Sequence, residues 1–371
     1  MYDAIVIGAR CAGAPTAMLL ARGGYRVLLL DRASFPSDTM RGHFIHHPGV
    51  VALHRWGLLP RVIASGCPPI RVRLSDLGDF PLAIPAEVGD GVDANYAPRR
   101  FALDAILVEA AGAAGAEVRE HFTVHDLAWD AGRVVGIRGR ASGGATVQER
   151  ARIVVGADGA HSVVARAVRA REYRARPALT FAYYSYFSGV PLGGIEVYLR
   201  PEESVHITFP TNHGLACIAL QAPVAGFHAF RADIGGNFFR ALDRVPHLAE
   251  RVRAGRREER WYGTADVANF VRTPYGPGWA LVGDAGYHKD PVTAQGITDA
   301  FRDAALLAEA VDAGFSGRAP LQGALADYER RRNAAALPAY AEACRAATLA
   351  AAPPDVLARR AALRPLAAAS A

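Results

Sequence analysis

An α/β fold, built on a parallel sheet with an antiparallel sheet inserted into it, is predicted by three observations. Residues 1–32 carry a complete strand, glycine loop, helix and second strand. Two later apolar strands each end in a turn made of Asp and Gly. Between them runs a stretch of alternating apolar residues.

The first unit is read residue by residue. Ala4-Ile5-Val6-Ile7 is a short, fully apolar run of the kind a buried parallel strand needs. Gly8-Ala9-Arg10-Cys11-Ala12-Gly13 follows, then a helix pattern through Ala14, Ala17, Leu20 and Ala21. Arg26 to Leu30 is a second strand, closed by Asp31 and Arg32. An acid about twenty residues past the glycines completes a dinucleotide-binding, Rossmann-type unit. Gly8 permits the tight turn, and Gly13 with Ala17 lets helix and sheet approach closely. The helix N-terminus offers free N–H groups and partial positive charge to a pyrophosphate, with Ala12 and Cys11 in the loop beneath it. Asp31 can accept hydrogen bonds from a ribose diol. Arg10 stands where the fingerprint has a second glycine; it either swings aside or lies over the pyrophosphate. The helix N-terminus could lower the pKa of Cys11, although packing beneath the pyrophosphate is the plainer role.

Bulk properties narrow the class. The chain has 371 residues, 51% of them apolar, enough for two domains or one with an inserted lobe. No run is long and apolar enough for a membrane span. The strand pattern beginning at Tyr2 leaves no room for a leader, and Cys11, Cys67, Cys217 and Cys344 form no C-x-x-C pair. A cytoplasmic protein without disulfides is expected. The net charge of +6 is spread along the chain, and its densest run, Arg251 to Arg260, contains Glu258 and Glu259. That run reads as a solvated helix face and not as a nucleic-acid patch. His43, His46 and His47 have no cysteine or carboxylate spaced to complete a metal site, so loop packing is expected of them.

Two further segments narrow the cofactor. Ile153-Val154-Val155-Gly156-Ala157-Asp158-Gly159 is a buried strand ending in Asp-Gly, and Trp279-Ala280-Leu281-Val282-Gly283-Asp284 is another ending in Gly-Asp. The latter continues through Pro291, Gln295 and Gly296 into a helix over Ile297 to Val311. In this order and spacing the three motifs resemble the p-hydroxybenzoate hydroxylase superfamily, over residues 1 to about 315. That superfamily includes single-component flavin monooxygenases, geranylgeranyl-reductase-like enzymes and flavin-dependent halogenases. The resemblance implies a glutathione-reductase-like FAD-binding domain, with NAD(P)H as electron donor. It assigns Asp284 to the ribityl chain, Gly296 and Ile297 to the flavin N1–C2 carbonyl edge, and Pro291 to the wall beside the ring. It assigns Arg100 to an FAD contact, Val124 to backbone contact with adenine, and Asp158 and Gly159 to positioning of FAD and NAD(P)H. It also places Arg41 over the ribityl and pyrophosphate region. Two departures stand out. The usual arginine after the Asp-Gly motif falls at Arg166, with Ala165 in its place. Tyr287-His288-Lys289-Asp290 replaces a shorter Ala-His stretch and contains the chain's only lysine.

Residues 71–97 and 176–261 are expected to form an inserted antiparallel substrate domain. The FAD-binding domain then comprises 1–70, 98–175 and 262–315, and helices occupy 316–371. The alternation through Phe181, Tyr183, Ser185 and Phe187, and through Val205, Ile207 and Phe209, supports strands on its own. Of Tyr183, Tyr184, Tyr186, Phe187, Tyr198 and Phe209, most are expected in the sheet core and a minority at a pocket. His206, Asn212 and His213 either touch substrate or sit on loop surface. Val245 to Arg260 reads as a helix returning toward the FAD domain. The tail reads as helices broken at Pro338 and at Pro353-Pro354.

For the reaction, the resemblance implies an NAD(P)H-dependent monooxygenase acting on an aromatic or hydrophobic small molecule through a flavin C4a-hydroperoxide. A geranylgeranyl-reductase-type enzyme is the alternative. Halogenases of this fold carry a Trp-x-Trp-x-Ile-Pro segment with a nearby lysine, which this chain lacks, so halogenation is less favoured. A flavin-binding protein without turnover is the non-enzyme reading. No side chain is assigned to catalysis, and nothing in the residues specifies an oligomeric state.

Overall fold

The computed structural model describes residues 1–40 and 42–368. Tyr2–Ile7 lies between Val27–Leu30 and Val147–Gly156, parallel to both, and Trp279–Leu281 extends the sheet beside Val147–Gly156. These strands are apolar on both faces because each face is covered. The helices Gly13–Arg22 and Gly296–Phe315 pack on one face through Met18, Leu20, Phe301 and Leu307. The other face packs on Phe122–Asp130 and its neighbours through Leu127, Val134 and Ile137. Register is what matters for function. Ile7 pairs with Gly156, and Gly156 with Leu281, so three strands end level. Their turns therefore leave the sheet side by side.

A second, mainly antiparallel sheet runs in the order Arg256–Arg257, Thr180–Ser188, Ala216–Pro223, Ser204–Pro210, Ile195–Arg200, Val72–Asp76, Pro81–Pro85. Successive side chains alternate between its faces. One face carries Phe181, Tyr183, Phe187, Ile218 and Leu220 and is covered by Phe238, Leu242, Leu248 and Val252 from the helices Ile234–Leu242 and Pro246–Ala254. Each such side chain contributes about 1.5–3 kcal/mol on burial. The opposite face carries Tyr184, Tyr186, Val205, Ile207, Phe209 and Cys217.

Three sequence expectations are corrected. The helix expected over Val245 to Arg260 spans only Pro246–Ala254 and packs on the antiparallel sheet. Gly255 is extended, a Cβ there would meet Ser188 and Val190, and Arg256–Arg257 then pairs with the strand Thr180–Ser188. The charge run is accordingly not one solvated helix face: Arg251 pairs with Glu196, Arg253 with Asp243 and Arg256 with Glu258. Finally, the helix Leu321–Ala346 runs through Pro338 without a break. Pro338 is exposed, while Arg332, Ala336 and Tyr340 around it are buried, so water can serve the freed carbonyl as packing holds the turns.

No helix among the described residues is long and apolar enough to cross a membrane. The four cysteines are buried and unpaired.

Candidate active site: a cavity between two sheets

The three level turns form one wall of a cavity of about 620 Å³. The turns are crowded together by missing side chains. A Cβ on Gly8 (φ +96°) would sit 2.5 Å from the Ala157 carbonyl oxygen, and one on Gly283 (φ +61°) would sit 2.7 Å from the Ala12 methyl. Gly13 serves differently: its Cβ would lie 1.7 Å from the Gly8 carbonyl oxygen, and the residue does not line the cavity. It lets the helix seat on the turn. Gly159 and Gly296 instead have open space where a Cβ would go. Neither Gly13–Arg22 nor Gly296–Phe315 has a side-chain cap; in the first, the Ala14 N–H is taken by the Arg10 carbonyl and Pro15 has none, which leaves the N–H groups of Ala12 and Gly13 for a ligand.

Of the residues singled out in the sequence, Gly8, Arg10, Cys11, Ala12, Asp31, Arg32, Arg100 and Val124 line this cavity. So do Asp158, Gly159, Asp284, Pro291, Gly296 and Ile297. Arg41 lies outside the described residues. Asp31 is fixed by the N–H groups of Ala9 (2.7 Å) and Ala33 (2.8 Å), one on each carboxylate oxygen. Each oxygen keeps a further lone pair. Asp158 accepts from the Val163 N–H at 2.6 Å, and its other oxygen is buried without a partner. Burial raises its pKa above the usual carboxylate range. The displaced arginine, Arg166, lines the cavity, while Ala165 is buried in the packing behind it.

Arg10 swings aside. Its guanidinium donates to Asp104 at 2.5 Å and to Ser37, and it lies 5.2 Å from the Phe35 ring centre. Asp104 is fully buried and also accepts from Arg100 (3.0–3.2 Å) and from the Cys11 thiol (3.4 Å). Burial works against the charge on Arg100, but Asp104, with Cys11 and Asp284, outweighs it and raises the Arg100 pKa. The Cys11 thiol goes the other way from its expected tuning, since burial pushes its pKa far up. Asp104 is thus the hub of this corner. Its spacing four residues after Arg100 was the signal for it.

The opposite wall is the face of the antiparallel sheet that its two helices leave uncovered. Tyr184, Ala219 and Ile207 form one row across three strands, and Cys217 and Phe209 belong to the next. Ala182, Gln221 and Val267 extend this wall. Of the six aromatics considered, Tyr184 and Phe209 line the cavity. Tyr183, one residue from Tyr184, points into the helix-covered face. His206 is buried on that face with Ser204, and desolvation, reinforced by Arg200, lowers its pKa to about 4. Asn212 accepts from the Arg99 N–H and donates to Ser65, and His213 stacks on Phe101. Neither reaches the cavity. The three histidines diverge: His43 meets the Tyr186 hydroxyl, His46 the Thr293 carbonyl and His47 the Gly89 carbonyl.

Two residues, Asp290 and Arg99, tie the walls together. Asp290, fully buried, accepts from Thr180 (2.7 Å), Gln221 (3.3 Å) and the Val292 N–H (3.1 Å), and its own N–H donates to Asn269. Thr180 and Gln221 belong to the antiparallel sheet, so a carboxylate from the Gly-Asp segment bridges the cavity's edge. Arg99 makes a second bridge, to Asp38 (2.5 Å) and Glu259 (2.7 Å), lying 3.7 Å over the Tyr186 ring. Lys289 lines the cavity and donates to Asp299 (2.5 Å) and Gln295 (2.8 Å).

The donor set suits a long, flat, doubly phosphorylated cofactor: uncapped helix N-termini, glycine gaps and carboxylates at strand ends share one elongated wall. These features fit an FAD-dependent oxidoreductase, and with the family match over residues 1–343 and the relatives below the protein is an enzyme of that class. Residues 1–343 match the FAD binding domain family FAD_binding_3, and the chain belongs to it. It is 28% identical to digeranylgeranylglycerophospholipid reductase 2 of Methanopyrus kandleri, over 80% of this chain and 73% of that one. Kynurenine 3-monooxygenase of Xanthomonas campestris pv. campestris is 26% identical, over 90% of this chain and 76% of the relative. Among solved structures, the myxobacterial chondrochloren halogenase CndH superposes with a TM-score of 0.82 at 26% identity, covering 90% of this chain and 79% of that one.

Proposed function

We propose that the enzyme is an NAD(P)H-dependent monooxygenase that hydroxylates an aromatic or other hydrophobic small molecule. In this reading residues 1–70, 98–175 and 262–315 form the FAD-binding domain, 71–97 and 176–261 the substrate domain, and 316–371 supporting helices. Gly8 and Ala12 present backbone to the pyrophosphate, Asp31 takes the ribose diol, and Arg32 and Val124 flank the adenine. Asp158 and Gly159 hold the middle of the cofactor, Asp284 the ribityl chain, and Pro291, Gly296 and Ile297 the ring. Bound FAD would supply the redox centre, accepting a hydride and delivering electrons to oxygen. The protein's own part is to bind, orient and keep water out.

The observation that carries this reading is the apolar wall of Tyr184, Ile207, Phe209 and Ala219 facing the cofactor wall across one cavity. Such a wall offers dispersion and ring contacts to a flat substrate and excludes water from it. A geranylgeranyl-reductase-type reaction is the second reading, supported by the likeness to the Methanopyrus reductase. The test is turnover with NAD(P)H and a panel of aromatic and prenyl compounds under labelled oxygen. A product carrying the label supports hydroxylation. A reduced product without it hands the case to the reductase reading, and a product that gains halide when bromide is supplied overturns both.

A further inference from the structure

The chain's only lysine is spent inside the active site, in a segment that departs from the family pattern. Lys289 is nearly fully buried, lines the cavity beside Pro291, Gln295 and Gly296, and is held rigidly by Asp299 and Gln295. Burying an ammonium is costly unless its charge is used or matched. Here it is matched by Asp299, which also lines the cavity. The matching is shared, because Arg302 binds the other Asp299 oxygen at 2.9 Å and Asp303 at 2.8 Å. The cluster therefore holds two cations and two carboxylates. One of these carboxylates, Asp303, is fully buried with an oxygen that has no partner. Burial pushes the Asp303 pKa up to about 6. A simple structural pair would not need this much charge beside a ligand cavity.

We propose that Lys289 sets the reduction potential of the bound FAD, its ammonium stabilising the anionic reduced ring, with Asp299 opposing that effect. The proposal rests on the reading that Gly296 and Ile297 face the flavin. Two electrons and one proton, taken together as hydride from NAD(P)H, convert the neutral ring into a reduced form with one more negative charge. A cation fixed at the cavity wall lowers the free energy of that form more than of the oxidised one. A carboxylate at the same wall does the reverse. The helix beginning at Gly296 adds its partial positive charge to the lysine's.

The test uses the holoenzyme and its Lys289→Met, Lys289→Arg and Asp299→Asn variants, equilibrated without oxygen against a reference dye of known potential. FAD content and Tm are measured on the same samples. Lys289→Met is expected to lower the equilibrium constant for reduction about tenfold, about 30 mV downward for two electrons. Lys289→Arg should restore most of it, and Asp299→Asn should shift it upward. In Lys289→Met the remaining carboxylate keeps Arg302, so no isolated buried charge is left. Potentials that stay put, or that move the same way in Lys289→Met and Asp299→Asn while FAD content stays full, overturn the proposal and leave the pair structural. If Lys289→Met loses its FAD, Asp299→Asn alone decides, and anything but an upward shift overturns it. A wild-type protein that takes up no FAD would instead refute the cofactor reading beneath it.

Discussion

The two walls of the cavity are made by opposite means. On the parallel-sheet side, function resides in backbone: turns at level strand ends, glycines that let Ala157 and Ala12 press close, and helix N-termini left uncapped. Several of the side chains there are anchored in turn, as Asp31 is by two N–H groups. On the antiparallel side, function resides in every second side chain, and the backbone is an ordinary ladder. A wall of backbone tolerates almost no substitution where its glycines are crowded, as at Gly8 and Gly283. A wall of alternating side chains can be rewritten without disturbing the sheet. One side is therefore suited to a constant cofactor and the other to a changeable substrate.

Breaking the first wall should cost most. Gly13→Val drives a side chain into the Gly8 carbonyl, and even Gly13→Ala meets it. Loss of FAD absorbance together with a collapsed Tm is expected, although Gly13 never touches the cavity. A yellow, stable Gly13→Val protein would refute the backbone account. Next in size is Asp104→Ala, which strands Arg100 in a fully buried site and frees Arg10. The loss should be about 3–5 kcal/mol in a urea titration. An exposed pair such as Arg55–Asp90 should give under about 1 kcal/mol in the same assay.

Asp31→Ala should weaken FAD binding by about 2–4 kcal/mol, measured by titrating apoprotein, since it removes the proposed ribose acceptor and unties the glycine turn. An unchanged Kd would mean that Asp31 serves the turn alone. The helix-covered face of the second sheet has its own signature. His206 ionises near 6.5 when unfolded but has its pKa lowered to about 4 by burial, so the unfolded chain binds the proton more tightly in that window. Stability that is full above pH 6.5 should fall by about 2 kcal/mol by pH 5, and His206→Gln should flatten that slope. The smallest effect sharpens the contrast between faces. With a substrate in hand, Tyr184→Leu should raise KM about fivefold, the scale of one ring contact, while Tyr183→Leu lowers Tm and leaves KM unchanged.

The same contrast explains what could be read from the sequence. Backbone sites need Gly and Asp at fixed offsets, so Gly8 and Asp31 were legible as soon as the first strands and helix were, whereas Asp158, Asp284 and Gly296 were pointed to by the family resemblance of their motifs; all five line the cavity. Alternation was legible too, but not which phase faced the cavity. Tyr183 and Tyr184 are equivalent until the helices Ile234–Leu242 and Pro246–Ala254 choose a face, and that choice is made by tertiary packing. Long-range polar partners were hidden for a similar reason. Asp290 meets Thr180 and Gln221 across more than sixty residues of chain, and no local pattern announces such a contact. Pro338 misled because local propensity was read without the buried neighbours that hold its helix straight.

The Asp290 bridge has a kinetic consequence. A buried carboxylate that joins the Gly-Asp segment to the far sheet, backed by Arg99 between Asp38 and Glu259, keeps the two walls from parting as jaws. Parting them would exchange the Asp290 bonds to Thr180 and Gln221 for water, at a net cost of about 1.5–3 kcal/mol each. Traffic into and out of the cavity should then follow the side chains at its mouth, and dwell times should depend on how far a molecule projects beyond the walls. Width is a constant of this enzyme, and length is what its ligands are free to vary.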